Sequence, residues 1–127
     1  STFFIPETAG VEINSAVAPI HGETVIQKNF PNSFRNTDLL DYLKEKNITK
    51  LIICGMMTHM CVDATVRAAF DYGFECIVAG DACATRNLVH DGVEIPARHV
   101  HHAFLAALGS VYAKIVNSGE ITFPEKK

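Results

Sequence analysis

The chain has 127 residues, 48% of them hydrophobic and 20% charged, a composition that supports one globular domain with a real core and excludes a disordered chain. Its formal charge of -3 comes from interspersed acidic and basic residues without a Lys/Arg block, which excludes a surface built to attract nucleic acid or an anionic membrane. No apolar run approaches the roughly 18 residues needed to span a bilayer, and the opening STFFIPETAG lacks the basic start and long apolar stretch of a signal peptide, so a soluble cytoplasmic protein is expected.

The first 23 residues, punctuated by Pro6, Gly10, Pro19 and Gly22, read as an extended arm or long loop. TVIQK (24–28) is the first strand expected. TDLLDYLKEKNI follows as a helix, with Thr37 as N-cap and Leu39, Leu40 and Leu43 on one face. KLIICG (50–55) and ECIVAG (75–80) are apolar almost throughout, as strands buried on both faces are. Between them, the stretch from Cys61 to Tyr72 places Val62, Val66, Ala69 and Phe70 on one helical face and stops at Gly73. A third helix begins at Pro96, buries Ala97, Val100, Phe104, Leu105 and Leu108, and ends near Gly109. AKIV (113–116) is the last strand. The order β-α-β-α-β-α-β implies a mainly parallel sheet with right-handed crossovers and helices on its faces.

Cys54, Cys61, Cys76 and Cys83 form no CxxC pair, and a chain with this much aliphatic core does not need a disulfide framework, so reduced thiols are expected. Cys54 and Cys76 lie inside strand patterns and read as buried, while Cys83 follows a strand and is ambiguous. Cys61 differs in standing where a strand ends and a helix begins, the place where open parallel sheets expose reactive groups on a rigid scaffold. Unpaired amides and the positive dipole end of a helix favour a thiolate there. Gly55 permits a sharp turn whose amides can face the same point and stabilise an oxyanion. The competing reading makes Cys61 a small core residue among Met56, Met57 and Met60. His99, His101 and His102 share helical spacing suited to a metal, but a solvated helix face explains them more simply, and no metal or other cofactor is expected.

From ETVIQKNFPNSF through GMMTHMCVDATVRAAFDYG to VAGDACAT, the sequence resembles the isochorismatase-like cysteine hydrolases, which include nicotinamidases and N-carbamoylsarcosine amidases. The likeness runs from about Phe3 to Phe123. Its pattern is a Lys after one strand, then Ser-Phe and Thr-x-Leu, then Gly-x-x-Thr-x-x-Cys-Val-x-x-Thr, with a Gly ending the helix. The resemblance implies a three-layer α/β/α fold, Cys61 as nucleophile and Lys28 as its catalytic lysine. It further implies a cis peptide between Met56 and Met57, with the amides of Met57 and Cys61 forming the oxyanion hole. His59 is expected to contact substrate, and Phe30, Phe34 and Met57 to wall a small apolar pocket.

The family's third catalytic residue is an Asp at the end of an opening apolar strand, and no such stretch occurs here. Asp38, Asp41, Asp63 and Asp71 fall within helical patterns, and Asp81 already matches another position of the family pattern. One hydrolase domain lacking its first strand and helix is therefore expected, with the missing N-terminal segment of the same protein as a partner. The ligands that nicotinamidases use for metal also lie mostly in the absent stretch, and His21 alone makes no site. The expected function is hydrolysis of a C–N bond in a small molecule. The alternatives are a redox thiol protein, with Cys54 pointing to the core as a poor resolving cysteine, or a non-catalytic relative of the same fold. The Ala-rich third helix suggests a homo-oligomer.

Overall fold

The computed structural model describes residues 4–123, so the Phe3 end of the family likeness lies outside the described residues. Its elements run α1 (Leu39–Glu45), β1 (Lys50–Met56), α2 (Asp63–Asp71), β2 (Glu75–Ala84), β3 (Leu88–His90), β4 (Val93–Ile95), α3 (Ala97–Val111) and β5 (Lys114–Val116). Strands β1, β2 and β5 form a parallel sheet in that order, and β3 and β4 form a separate antiparallel hairpin. The hairpin turns on Asp91 and Gly92, both with positive φ (50° and 75°), a geometry that Asp-Gly adopts readily.

Both crossovers, β1 to β2 through α2 and β2 to β5 through α3, step in the same direction across the sheet. Right-handed connections then put both helices on one face, where they touch each other. Val66 of α2, Val78 of β2 and Leu108 of α3 meet there with no exposed surface, and Leu43 of α1 joins the same core. Each such side chain contributes about 1.5–3 kcal/mol by leaving water. Glycine sets the spacing: a Cβ on Gly80 would lie 3.1 Å from Leu105 Cδ1, and one on Gly109 would lie 3.1 Å from Ile115 Cγ1. The third helix ends at Val111, close to Gly109 as expected.

The expected mainly parallel sheet flanked by helices is met, and among the described residues one face of β1 is left uncovered. The alternating pattern of β1 leaves Ile52 42% and Met56 56% exposed, and Cys54 between them is exposed as well. Cys54 thus does not point to the core, because β1 is an edge strand covered by helices on one face alone. TVIQK also departs from expectation, since 24–28 form no strand. The segment has strand-like alternation, with Ile26, Lys28 and Phe30 half-buried, but among the described residues no neighbouring strand takes up its backbone groups in a ladder. In α1, Thr37 stands one residue ahead of the N-cap, which is Asp38. Phe70, expected in the core, is 40% exposed and packs edge-on against Tyr112 at 5.3 Å.

The pairing of β1 with β2 shifts between Ile53 and Gly55, which aligns with Cys83. Gly55 makes the shift with a φ of +128°, and a Cβ there would meet nothing within 4 Å. The requirement for glycine is therefore conformational rather than steric. Gly55→Ala is predicted to cost about 1–3 kcal/mol of stability, read as a lower denaturation midpoint. Gly119→Ala, at a position equally open and without positive φ, should leave the midpoint nearly unchanged. Equal effects of the two would show that the strand end does not demand glycine.

Candidate active site

Beyond Gly55 the chain passes through a cis peptide between Met56 and Met57 and then makes one π-helical turn, Thr58–Val62, before α2 begins at Asp63. The α-helix thus starts just after Cys61, which itself lies within the wider turn ahead of it. The Met57 carbonyl accepts from the amides of Met60 (3.0 Å) and Val62 (3.3 Å), and the Thr58 carbonyl accepts from Asp63. Turns of this kind often mark functional sites, because they reset the direction of side chains at a helix start. Met57 is buried and Cys61 half-buried.

Two neighbours hold the turn. Thr58 is fully buried, and its Oγ1 lies 2.9 Å from Nδ1 of His101 on α3. Either tautomer satisfies the pair, the hydroxyl donating to a bare nitrogen or accepting from N–H. His101 therefore leaves the solvated histidine face expected for it, while His99 and His102 stay exposed. His59 Nδ1 lies 2.6 Å from Thr85 Oγ1, and its ring meets Phe104 edge-on at 6.0 Å. Burial holds the His59 imidazole below its ordinary pKa, helped by the Arg86 charge and opposed by Asp63. The ring is therefore neutral near neutral pH.

Lys28 Nζ donates to the carbonyls of Phe30 (2.8 Å) and Pro31 (2.7 Å), and no hydrogen bond joins it to Cys61. Phe30 is half-buried under the Arg35 guanidinium, 3.7 Å from its ring centre. Phe34 sits in the core instead of walling an open pocket. It packs on Tyr72 and Phe74 with ring centres 5.2 and 6.1 Å away. An open groove of about 610 Å³ between α3 and β5, lined by Asp81, His101 and Asn117 among others, includes none of Cys61, Lys28 or His59.

The nearby carboxylates are already engaged. Asp63 takes Arg67 Nε on both oxygens at 3.0 Å. Asp81 accepts from the Ser118 hydroxyl and amide, each at 2.7 Å, and these bonds hold its carboxyl below the usual range. Asp81 is thereby kept ionised and is not set up to give a proton near neutral pH. Burial pushes the Cys76 and Cys83 thiols up. Among the described residues, no three His, Cys, Asp or Glu side chains are grouped to hold a metal, and no helix is long and apolar enough to cross a membrane.

The bonding roles of Thr85, Thr65 and His101 went unread in the sequence, where Thr58 and Thr65 stood only as positions of a motif. The threonines carried a signal all the same: Thr58 and Thr65 flank Cys61 in a helix-like stretch, where a β-branched hydroxyl residue is favoured only if its side chain is used.

A family model described as the isochorismatase domain matches residues 1–114. The isochorismatase family protein YddQ of Bacillus subtilis (strain 168) is 54% identical over 113 residues, 89% of this chain and 63% of that protein. A solved structure named as an isochorismatase hydrolase from Oleispira antarctica superposes with a TM-score of 0.90 at 48% identity, covering 94% of this chain and 64% of that one. An N-carbamoylsarcosine amidase of an Arthrobacter species is 35% identical over 75 residues, 59% of this chain and 28% of that enzyme. The chain therefore spans less than two thirds of the length of these relatives.

A depressed His59 pKa has a definite sign in stability. Below the ordinary histidine value of 6.5 the unfolded chain takes up the proton more readily than the folded one. The contribution of neutral His59 is thus present above that pH and lost as pH falls through the lower folded pKa. Wild-type protein is predicted to lose more thermal stability between about pH 7.5 and about pH 5.5 than His59→Gln does. Equal losses would show that His59 titrates as it does in the unfolded chain.

Proposed function

The chain belongs to the isochorismatase family, and from that membership we propose that it carries the nucleophile of a cysteine hydrolase acting on a C–N, amide-type bond of a small molecule. The observation that carries the proposal is the position of Cys61. It stands half-buried in a π-turn that is pinned at Thr58, at the positive end of α2, just past a strand end bent by Gly55. The relative named as an amidase supports the choice of bond.

In this reading, the Cys61 thiolate attacks the carbonyl carbon and forms a C–S bond. The charge that develops on oxygen is met by the amides of Met57 and Cys61 and by the ammonium of Lys28. The amine leaves with a proton, and water then cleaves the thioester. His59, two residues before Cys61 and in ring contact with Phe104, is the residue assigned to contact substrate in this reading. The proton donor in this reading is an Asp outside this chain, since Asp63 and Asp81 are both engaged elsewhere. The uncovered apolar face of β1 offers the surface on which an N-terminal segment of the same protein carrying that Asp can pack. We place the protein in the cytoplasm on the strength of its four free thiols, and as a homo-oligomer through the exposed alanines of α3, Ala103, Ala106 and Ala107.

The 127-residue chain is predicted to give a burst of about one equivalent of p-nitrophenol from p-nitrophenyl acetate, because acylation needs only the thiolate and the oxyanion hole. Cys61→Ala should abolish the burst. Amide turnover should lie about 10²–10⁴ below that of a chain in which a peptide restores the acid. No burst from the unmutated chain would favour a non-catalytic relative. Full amide turnover without any added segment would return the acid's role to a residue such as Asp81.

A further inference from the structure

Thr65 follows Cys61 by four residues, about one helical turn, and is only 9% exposed. A threonine inside a helix ordinarily faces water or bonds back to its own helix. This one does neither. Its Oγ1 accepts from the Ser33 amide at 3.0 Å and lies 3.0 Å from Ser33 Oγ and 3.3 Å from the Pro31 carbonyl. With one proton and two lone pairs, the hydroxyl is fully used if it donates to Pro31 and accepts both bonds from Ser33. The same Pro31 carbonyl accepts from Lys28 Nζ at 2.7 Å.

Among the described residues, 24–28 pair with no strand, so no ladder there holds the segment that carries Lys28. Its turn is held by one backbone bond, from the Arg35 amide to the Asn32 carbonyl at 3.1 Å, and by several side chains. Asn32 Oδ1 accepts from the Phe34 amide at 3.0 Å, the Thr37 hydroxyl donates to the Ser33 carbonyl at 2.6 Å, and Thr65 fastens the turn to α2. Of these, only Thr65 belongs to the helix that follows the nucleophile. We propose that Thr65 is a positioning residue that fixes the Lys28 ammonium relative to Cys61 through the shared Pro31 carbonyl. The inference rests on Cys61 and Lys28 being the catalytic pair.

The test is the second-order rate of Cys61 alkylation by iodoacetamide near neutral pH, followed by peptide mapping, together with the thermal midpoint of each variant. If Lys28 acts on Cys61 as the proposed function has it, its positive charge speeds this reaction. Lys28→Gln should slow it about fivefold, and Thr65→Val should slow it by a similar factor. Thr65→Ser, which keeps the hydroxyl, should stay within about twofold of the unmutated chain. The double variant Thr65→Val/Lys28→Gln should be no slower than Lys28→Gln alone, a non-additivity that mere loosening of the fold does not produce. An unchanged rate in Thr65→Val beside a slowed Lys28→Gln overturns the positioning role and leaves the hydrolase reading standing. An unchanged rate in Lys28→Gln overturns that reading and the inference with it. If Thr65→Val fails to fold, amide exchange in the unmutated chain decides: a protected Ser33 amide supports the clamp, and one exchanging as fast as an open loop refutes it.

Discussion

The Thr58 hydroxyl is shut away from water, and an unpaired hydroxyl there would cost about 1–3 kcal/mol, so the turn that carries Cys61 is stable only where His101 arrives to bond it. That single contact ties the end of β1 to α3, forty-three residues further along the chain. The place of α3 is set in turn by close packing. Leu108 is wholly buried, and Gly80 and Gly109 let the helix and β5 approach until a methyl group would no longer fit. The geometry at Cys61 thus rests on the packing of a helix that contributes no nucleophile.

Covering one face of the sheet has a chemical consequence. The alternation of β1 turns Leu51 and Ile53 toward the helices and Ile52, Cys54 and Met56 the other way. Two cysteines seven residues apart therefore meet different surroundings: Cys54 is exposed on an apolar strand face, and Cys61 is half-buried in a structured turn. Cys76 and Cys83 are held as thiols by burial. Reactivity that followed exposure alone would select Cys54, whereas reactivity that followed a helix start and a preformed turn selects Cys61.

Most of the parallel sheet was legible in the sequence because its strands are short Val/Ile runs bounded by glycine, and α2 and α3 because their apolar residues recur at helical spacing. TVIQK has strand chemistry as well, but a strand needs a neighbour, and the presence of one is not written in five residues. The exposure of Cys54 was illegible for a related reason, since an apolar run does not say whether a second layer lies over it. The β3–β4 hairpin was overlooked although Asp91-Gly92 between LVH and VEI is a recognised turn signal. At the site, the motif pointed to Cys61, but the hydrogen bonds that hold it reach to His101, Thr85 and Ser33, distant in sequence. Local pattern carries no trace of such partners.

The central claim is that the folded turn, and not exposure, makes Cys61 the reactive thiol of this chain. Competition between cysteines for a limiting amount of a carbonyl electrophile tests it most directly, with the modified residue identified by mass mapping in the folded and in the denatured protein. The account predicts that the folded chain is modified at Cys61 ahead of the more exposed Cys54, and that denaturation removes this preference. Modification of Cys54 first in the folded chain, or the same distribution before and after denaturation, would contradict it.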